Sequence, residues 1–248
     1  MLIIFLCGIL SLVVKMSKNN KILYIIIALC VIIVVGLCIF LIVNHKEEVL
    51  TDALKFEQDF EQYNGLTYDD TGDKVIDVDI PSENPFVYKT GKEILEVLEQ
   101  EKAYVLFGYS SCPLTRAAIE TLITALEEEE IDKVYYVDIK DMRDEYVMGD
   151  SIIADKVKEG TEAYYAILDF FGDHLDKYYA YDETGMYAYD TGETRLYSPT
   201  FVAVNDGEVV SMQEELVSSY DYTNRELTDE EKSELRERYL KVIDSIKE

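Results

Sequence analysis

Residues 105–116 read VLFGYSSCPLTR. The β-branched and aromatic run, extended back to Ala103 and on to Tyr109, predicts a buried strand. Ser110 and Ser111 make a corner, and Cys112-Pro113 opens a helix. Proline suits the first helical position, because the N–H it lacks would have no intrahelical partner there. One thiol therefore sits at a strand-to-helix turn, where unpaired amides and the helix dipole favour negative charge on sulfur. A dithiol cycle within this motif needs a second cysteine three residues on, and Thr115 occupies that place. The Thr115 hydroxyl can donate a hydrogen bond to sulfur in place of the missing thiol, and Arg116 puts a cation in the first turn.

Working outward, residues 113–130 carry Ala117, Leu122, Ile123 and Leu126 on one helical face and end in four glutamates. KVYYVDI at 133–139 predicts the next strand, which gives a β-α-β unit with parallel strands and a right-handed crossover. Upstream, Thr90-Gly-Lys-Glu93 is a capping box for a helix from Gly91 to about Glu101. KVIDVDI at 74–80 alternates as a half-buried strand, stopped by Pro81. Residues 47–63 predict an amphipathic helix ending at Asn64-Gly65.

Downstream, residues 140–196 read as an insertion. It holds a polar connection, a helix from Thr161 to about Tyr178, and two related turns, Tyr181-Asp-Glu-Thr-Gly185 and Tyr189-Asp-Thr-Gly-Glu193. The chain returns as a hairpin around Asn205-Asp206-Gly207. A second capping box, Thr228-Asp-Glu-Glu231, opens a last helix with Leu235, Tyr239, Val242, Ile243 and Ile246 in one stripe.

The amino end is different in kind. Residues 22–43 (ILYIIIALCVIIVVGLCIFLIV) are uncharged and long enough to cross a bilayer as one helix. Lys15, Lys18 and Lys21 precede the run with no acid among them, so residues 1–21 are expected in the cytoplasm and the remainder outside. A cleaved signal peptide fits less well, since the run is long and lacks a small-x-small site. Met16 makes a conventional start, which would leave residues 1–15 as an upstream over-extension. The expected organisation is thus a cytoplasmic segment 1–21, a membrane helix 22–43, a helix and linker 44–73, and a folded domain 74–248.

The net charge is −27, and because the first 46 residues hold four lysines and no acids, the remainder stands at −31. That excludes a basic nucleic-acid footprint. The acid cluster at 69–73 lacks the ligand spacing of a calcium loop and reads as a turn. Of the four cysteines, Cys7, Cys30 and Cys38 lie in apolar amino-terminal segments, so the outer domain has no internal disulfide and one thiol, Cys112. Cys112, His45 and His174 share no metal-ligand spacing, and no cofactor motif is present.

Six short motifs in order resemble the thioredoxin-fold proteins of Gram-positive bacteria, in particular the membrane-tethered group related to bacteriocin transport accessory proteins. They are NPFVYKT at 84–90, FGYSSCP at 107–113, RDE at 143–145, EGT at 159–161, SPT at 198–200 and LTDEE at 227–231. The likeness covers about residues 74–246. It implies an α/β fold with a central mixed sheet flanked by helices, interrupted by the 140–196 insertion. It further implies that Cys112 matches the attacking cysteine, that Pro199 matches the cis-proline facing it, and that Ser198, Pro199 and Thr200 line a substrate groove. Working members resemble Cys-Pro-x-Cys followed by a basic residue; here Cys112-Pro113-Leu114-Thr115-Arg116 lacks the resolving thiol.

Two functions follow as expectations. In the first, Cys112 is a monothiol exchange catalyst, isomerase-like, acting on a cysteine-containing secreted protein and released by a substrate thiol or a small external thiol. In the second, the groove is a redox-inactive module that binds an extended peptide for export or folding.

Overall fold

Strands β1 (Phe86–Tyr88), β2 (Lys102–Gly108) and β3 (Val134–Asp138) start the central sheet, and they are parallel where they pair. In this computed structural model the described residues are 27, 29, 31–36, 50–69, 71–149, 153–182, 185–221 and 224–247. The chain divides into two units, Met1–Leu50 and Thr51–Glu248. In the first, residues 27, 29 and 31–36 are helical. Among the described residues no helix is long and apolar enough to cross a membrane. Most of the span expected at 22–43, together with Cys7, Cys30 and Cys38, lies outside the described residues.

In the second unit, α1 (Asp52–Glu61) precedes β1. Next come α2 (Gly91–Gln100), β2, α3 (Pro113–Glu128) and β3. After the insertion, β8 (Thr200–Asn205) and β9 (Glu208–Glu214) pair antiparallel, and α5 (Asp229–Asp244) closes the chain. The sheet order is β1-β3-β2-β8-β9, with β8 antiparallel to β2, so the sheet is mixed.

Side chains on β2, β3 and β8 alternate between two buried layers. Leu106, Tyr136, Phe201 and Ala203 pack with Phe56 and Phe60 of α1, Ile119 and Leu122 of α3, and Leu235 and Tyr239 of α5. Val105, Phe107, Val137, Val202 and Val204 pack on the other face with Ile94 and Leu98 of α2 and with Tyr164, Ile167 and Phe171. Both expected capping boxes form, with Thr90 and Thr228 accepting from the amides of Glu93 and Glu231. The β8-β9 turn is tight because Asp206 (φ 47°) and Gly207 (φ 86°) both take left-handed backbone, as a type I′ hairpin requires.

Residues 75–80 depart from the expected strand. Burial alternates from Ile76 through Val78 to Ile80, and Val75 is inside as well. Yet the segment joins no sheet beyond a single bridge between Thr67 and Lys74. Side chains replace the ladder: Asn64 exchanges two hydrogen bonds with the Val78 backbone (2.7 and 3.0 Å), and Glu61 and Glu120 accept from the amides of Ile80 and Asp79. Edge partners of this kind leave no trace in hydrophobic periodicity.

The insertion is richer in strands than expected. Strands β4 (Glu145–Met148) and β5 (Ala154–Lys158) form a hairpin in the supposed polar connection. Helix α4 (Glu162–Phe171) stops short of Tyr178, because Gly172 takes φ 51° and turns the chain. A short 3-10 turn then leads into β6 (Lys177–Tyr181), which pairs with β7 (Ala188–Thr194). The second Tyr-Asp-Thr-Gly stretch therefore lies within β7, at an irregularity in the ladder, rather than at a hairpin tip.

Arg116 joins these parts. Its side chain is buried at 1 % exposure. Nε donates to the Ile76 carbonyl (2.6 Å), one terminal nitrogen to Phe60 and Ser110 (2.7 and 3.0 Å), and the other to the Asn64 amide oxygen (2.6 Å). Arg116→Met should cost about 3–5 kcal/mol in urea unfolding, because four acceptors lose their donor at once. Arg116→Lys, a point charge that cannot span four acceptors, should recover less than half of that. Full stability in the Met variant would show that the clamp is not what holds α1 to the sheet.

Candidate functional site

Helix α3 presents Cys112 as its N-cap residue, with Pro113 in the first turn and no side-chain cap. The Cys112 amide donates to the Tyr109 carbonyl (3.0 Å), which closes the corner. Cys112 is 5 % exposed, and its sulfur donates to the Ser198 carbonyl at 3.6 Å. Residue 198 reaches this point because β8 pairs with β2, setting Thr200 opposite Phe107. The Ser198–Pro199 peptide bond is cis.

Thr115 and Ser198 share a buried hydrogen bond between their hydroxyls at 2.7 Å. The Thr115 hydroxyl thus meets Ser198, a partner that the sequence did not indicate. Gly108 makes room for the pair: a β-carbon there would lie 3.2 Å from the Thr115 side chain. The Thr200 hydroxyl donates to the Tyr197 carbonyl at 2.8 Å. Cys112, Thr115, Ser198, Pro199 and Thr200 therefore converge, and Pro113 lines the groove beside them. Arg116 does not join them, because its guanidinium faces the carbonyls of Phe60, Ile76 and Ser110.

Other residues take the places the sequence assigned to Arg116. Lys140 donates to the Ser111 hydroxyl at 2.9 Å, and Arg143 donates to the Tyr109 phenol at 3.2 Å. Burial, then the neighbouring Cys112 sulfur, push the Tyr109 phenol upward in pKa, and Arg143 pulls it back. Tyr109 and Arg143 lay inside quoted motifs, but their spacing carried no signal that they meet. On the far side, Asp144 is 2 % exposed, with Lys156 at 3.8 Å. Burial and then the nearby Glu193 carboxylate raise its pKa.

Glu214 was also missed. It ends β9 opposite Thr200 and accepts from the Tyr197 amide at 3.0 Å, so it underlies the turn that carries Ser198 and Pro199. Burial first, and then Asp176 and Glu215, push its pKa from 4.5 up to about 7; the Tyr197 amide and the Thr200 hydroxyl act the other way.

Two open clefts flank the Cys112 corner, and Leu114 lines both. One, about 820 Å³, is bounded by Tyr63, Tyr68, Tyr109, Ser111, Pro113 and Lys140. The other, about 890 Å³, is bounded by Asp176, Tyr179, Tyr181, Tyr197 and Glu215. A third hollow of about 470 Å³, between α3 and α5, touches Arg116 but none of the residues around the sulfur. Among the described residues no group of three or more His, Cys, Asp or Glu is placed to hold a metal ion.

The raised Glu214 carboxyl makes stability depend on pH. Between about 4.5 and 7 the folded chain holds a proton that the unfolded chain has lost, so stability falls as pH rises through this window. Glu214→Gln removes the dependence. Relative to the parent, this variant should gain roughly 2–3 kcal/mol between pH 4.5 and pH 8. Parallel denaturation curves across that range would count against a buried, protonated Glu214.

Compared with known proteins, the chain matches no protein-family model, no curated protein and no solved structure.

Proposed function

We propose that the chain is a membrane-tethered, thioredoxin-like protein that carries out monothiol exchange through Cys112 on the outer face of the membrane. The single observation that carries this reading is the meeting of the Cys112 sulfur with the Ser198 carbonyl, at the start of α3 and next to Pro199. The mixed sheet, the thiol at the head of the helix after β2, and the proline before β8 support the thioredoxin-like assignment. The uncharged run at 22–43, with lysines before it, supports the tether.

The chemistry needs one thiol. An extended substrate docks along the 197–199 turn, and one of its N–H groups takes over the Ser198 carbonyl, freeing the Cys112 sulfur. Once the freed thiol has given its proton to solvent water, the thiolate attacks one sulfur of a substrate disulfide; the S–S bond breaks, a mixed disulfide forms with Cys112, and the second substrate sulfur leaves as thiolate. Another substrate thiolate then attacks the mixed disulfide, restoring Cys112 and forming a new substrate disulfide. No net oxidation occurs, so no resolving cysteine is required. Lys140 and Arg143 near the corner offset the surrounding negative charge of the domain.

A second reading, a redox-inactive peptide-binding module, is favoured by the 95 % burial of Cys112 and by its thiol being engaged as a donor. The full chain in neutral detergent separates the two. On the exchange reading it rearranges a disulfide-scrambled test protein, and Cys112→Ser falls to the rate of buffer with a small thiol. Equal rates for parent and Cys112→Ser would eliminate exchange and leave binding.

A further inference from the structure

The cleft of about 890 Å³ beside the Cys112 corner is an aromatic groove with its own charge. Tyr179, Tyr181, Tyr197 and Leu114 line it. Tyr179 and Tyr181 are 37 % and 59 % exposed, and neighbouring Tyr187 is 62 % exposed. Exposed tyrosines gathered around one concavity offer flat, amphipathic surface suited to a partner.

Charge selects the occupant. Asp176 and Glu215 line the groove, so two carboxylates face the tyrosines there. Lys177, the basic residue of the lining, is paired with Asp190 at 2.6 Å. A groove with tyrosine faces and two carboxylates fits a cation on an apolar stem, through cation–π contact and ion pairing together. The domain's overall −31 adds long-range attraction for such a ligand.

We infer that this groove is a specificity subsite for a lysine or arginine side chain of an extended peptide, placed near the residue that meets Cys112. Tyr197 directly precedes Ser198, and Leu114 follows Cys112 by two positions. A strand laid on the 197–199 turn therefore sends side chains to both sulfur and groove. Such an occupant presupposes peptide docking at that turn, as in the reading above, but it requires no sulfur chemistry.

The test uses the full chain in neutral detergent and short fluorescent peptides that carry serine in place of cysteine, flanked by lysines, glutamates or serines. Fluorescence anisotropy at physiological salt should show the lysine peptide binding about tenfold tighter than the glutamate peptide. Asp176→Asn combined with Glu215→Gln should reduce that preference to about twofold. Tyr181→Ser, at an exposed position, should weaken the lysine peptide several-fold while sparing the fold. Cys112→Ser should keep the preference for the lysine over the glutamate peptide, whatever its effect on docking at Ser198, so that loss of exchange activity alone leaves this subsite standing. Equal binding of lysine and glutamate peptides would overturn it. So would a preference unchanged in the double variant, since attraction would then come from the domain's overall charge rather than from this groove.

Discussion

A guanidinium taken out of water and given no carboxylate within salt-bridge distance among the described residues is the constraint around which the folded unit is arranged. Moving a charge into the interior costs several kcal/mol unless hydrogen bonds restore what water supplied. Arg116 donates them to four oxygens belonging to three separate stretches: Phe60 at the end of α1, Asn64 and Ile76 around the following loop, and Ser110 at the corner before α3. Arginine can do this because its donors are fixed in a plane and point in several directions; an ammonium cannot span the same set. Asn64 then passes the restraint on by pairing with the Val78 backbone. The segment 75–80 is thereby held against the core without a sheet neighbour.

The same clamp determines which charges reach the sulfur. Holding the Ser110 carbonyl fixes the corner from which Cys112 projects, so Arg116 contributes to the thiol's position. The cations near the corner come instead from the stretch after β3, where Lys140 reaches Ser111 and Arg143 reaches Tyr109. A corner anchored from below by one arginine and flanked by two other cations can hold a thiol in register with Ser198 inside a strongly acidic domain. The acids of that domain are mostly exposed and screened beyond about 10 Å.

Much of this was legible in the sequence, and the parts that were not share a physical cause. Strand 103–109, the helix after Cys112, strand 133–139, both capping boxes and the 205–207 hairpin each rest on local signals: period, cap chemistry and turn chemistry. Their partners in space follow from β-α-β connectivity. The failures are places where a side chain from far along the chain replaced a local bond. Asn64 substituted for a strand partner of Val78, Ser198 took the Thr115 hydroxyl, and distant carbonyls took Arg116. Glu214 escaped notice for the same reason, since an acid at a strand end reads as a solvated residue until burial and the Tyr197 amide are known. The β4–β5 hairpin and the overlong helix at 161–178 are exceptions: the first was hidden in a polar stretch, and in the second Gly172 was a visible stop signal that the apolar pattern on either side outweighed.

These long-range bonds also connect resting geometry with reactivity. In the free chain the Cys112 thiol has its donor bond to Ser198, Thr115 has the Ser198 hydroxyl, and Pro199 accepts from the Glu215 amide at 2.8 Å. The thiol–carbonyl contact is the weakest of the three, since sulfur is a poor donor and the separation is 3.6 Å. On the proposed reading, a peptide N–H arriving at Ser198 would displace that contact before it disturbed the others. The turn would then keep its shape while the sulfur is released, and a buried thiol would become available in proportion to how well a peptide docks. Exchange and peptide binding then differ in one step only: whether the docked chain brings a disulfide within reach of Cys112.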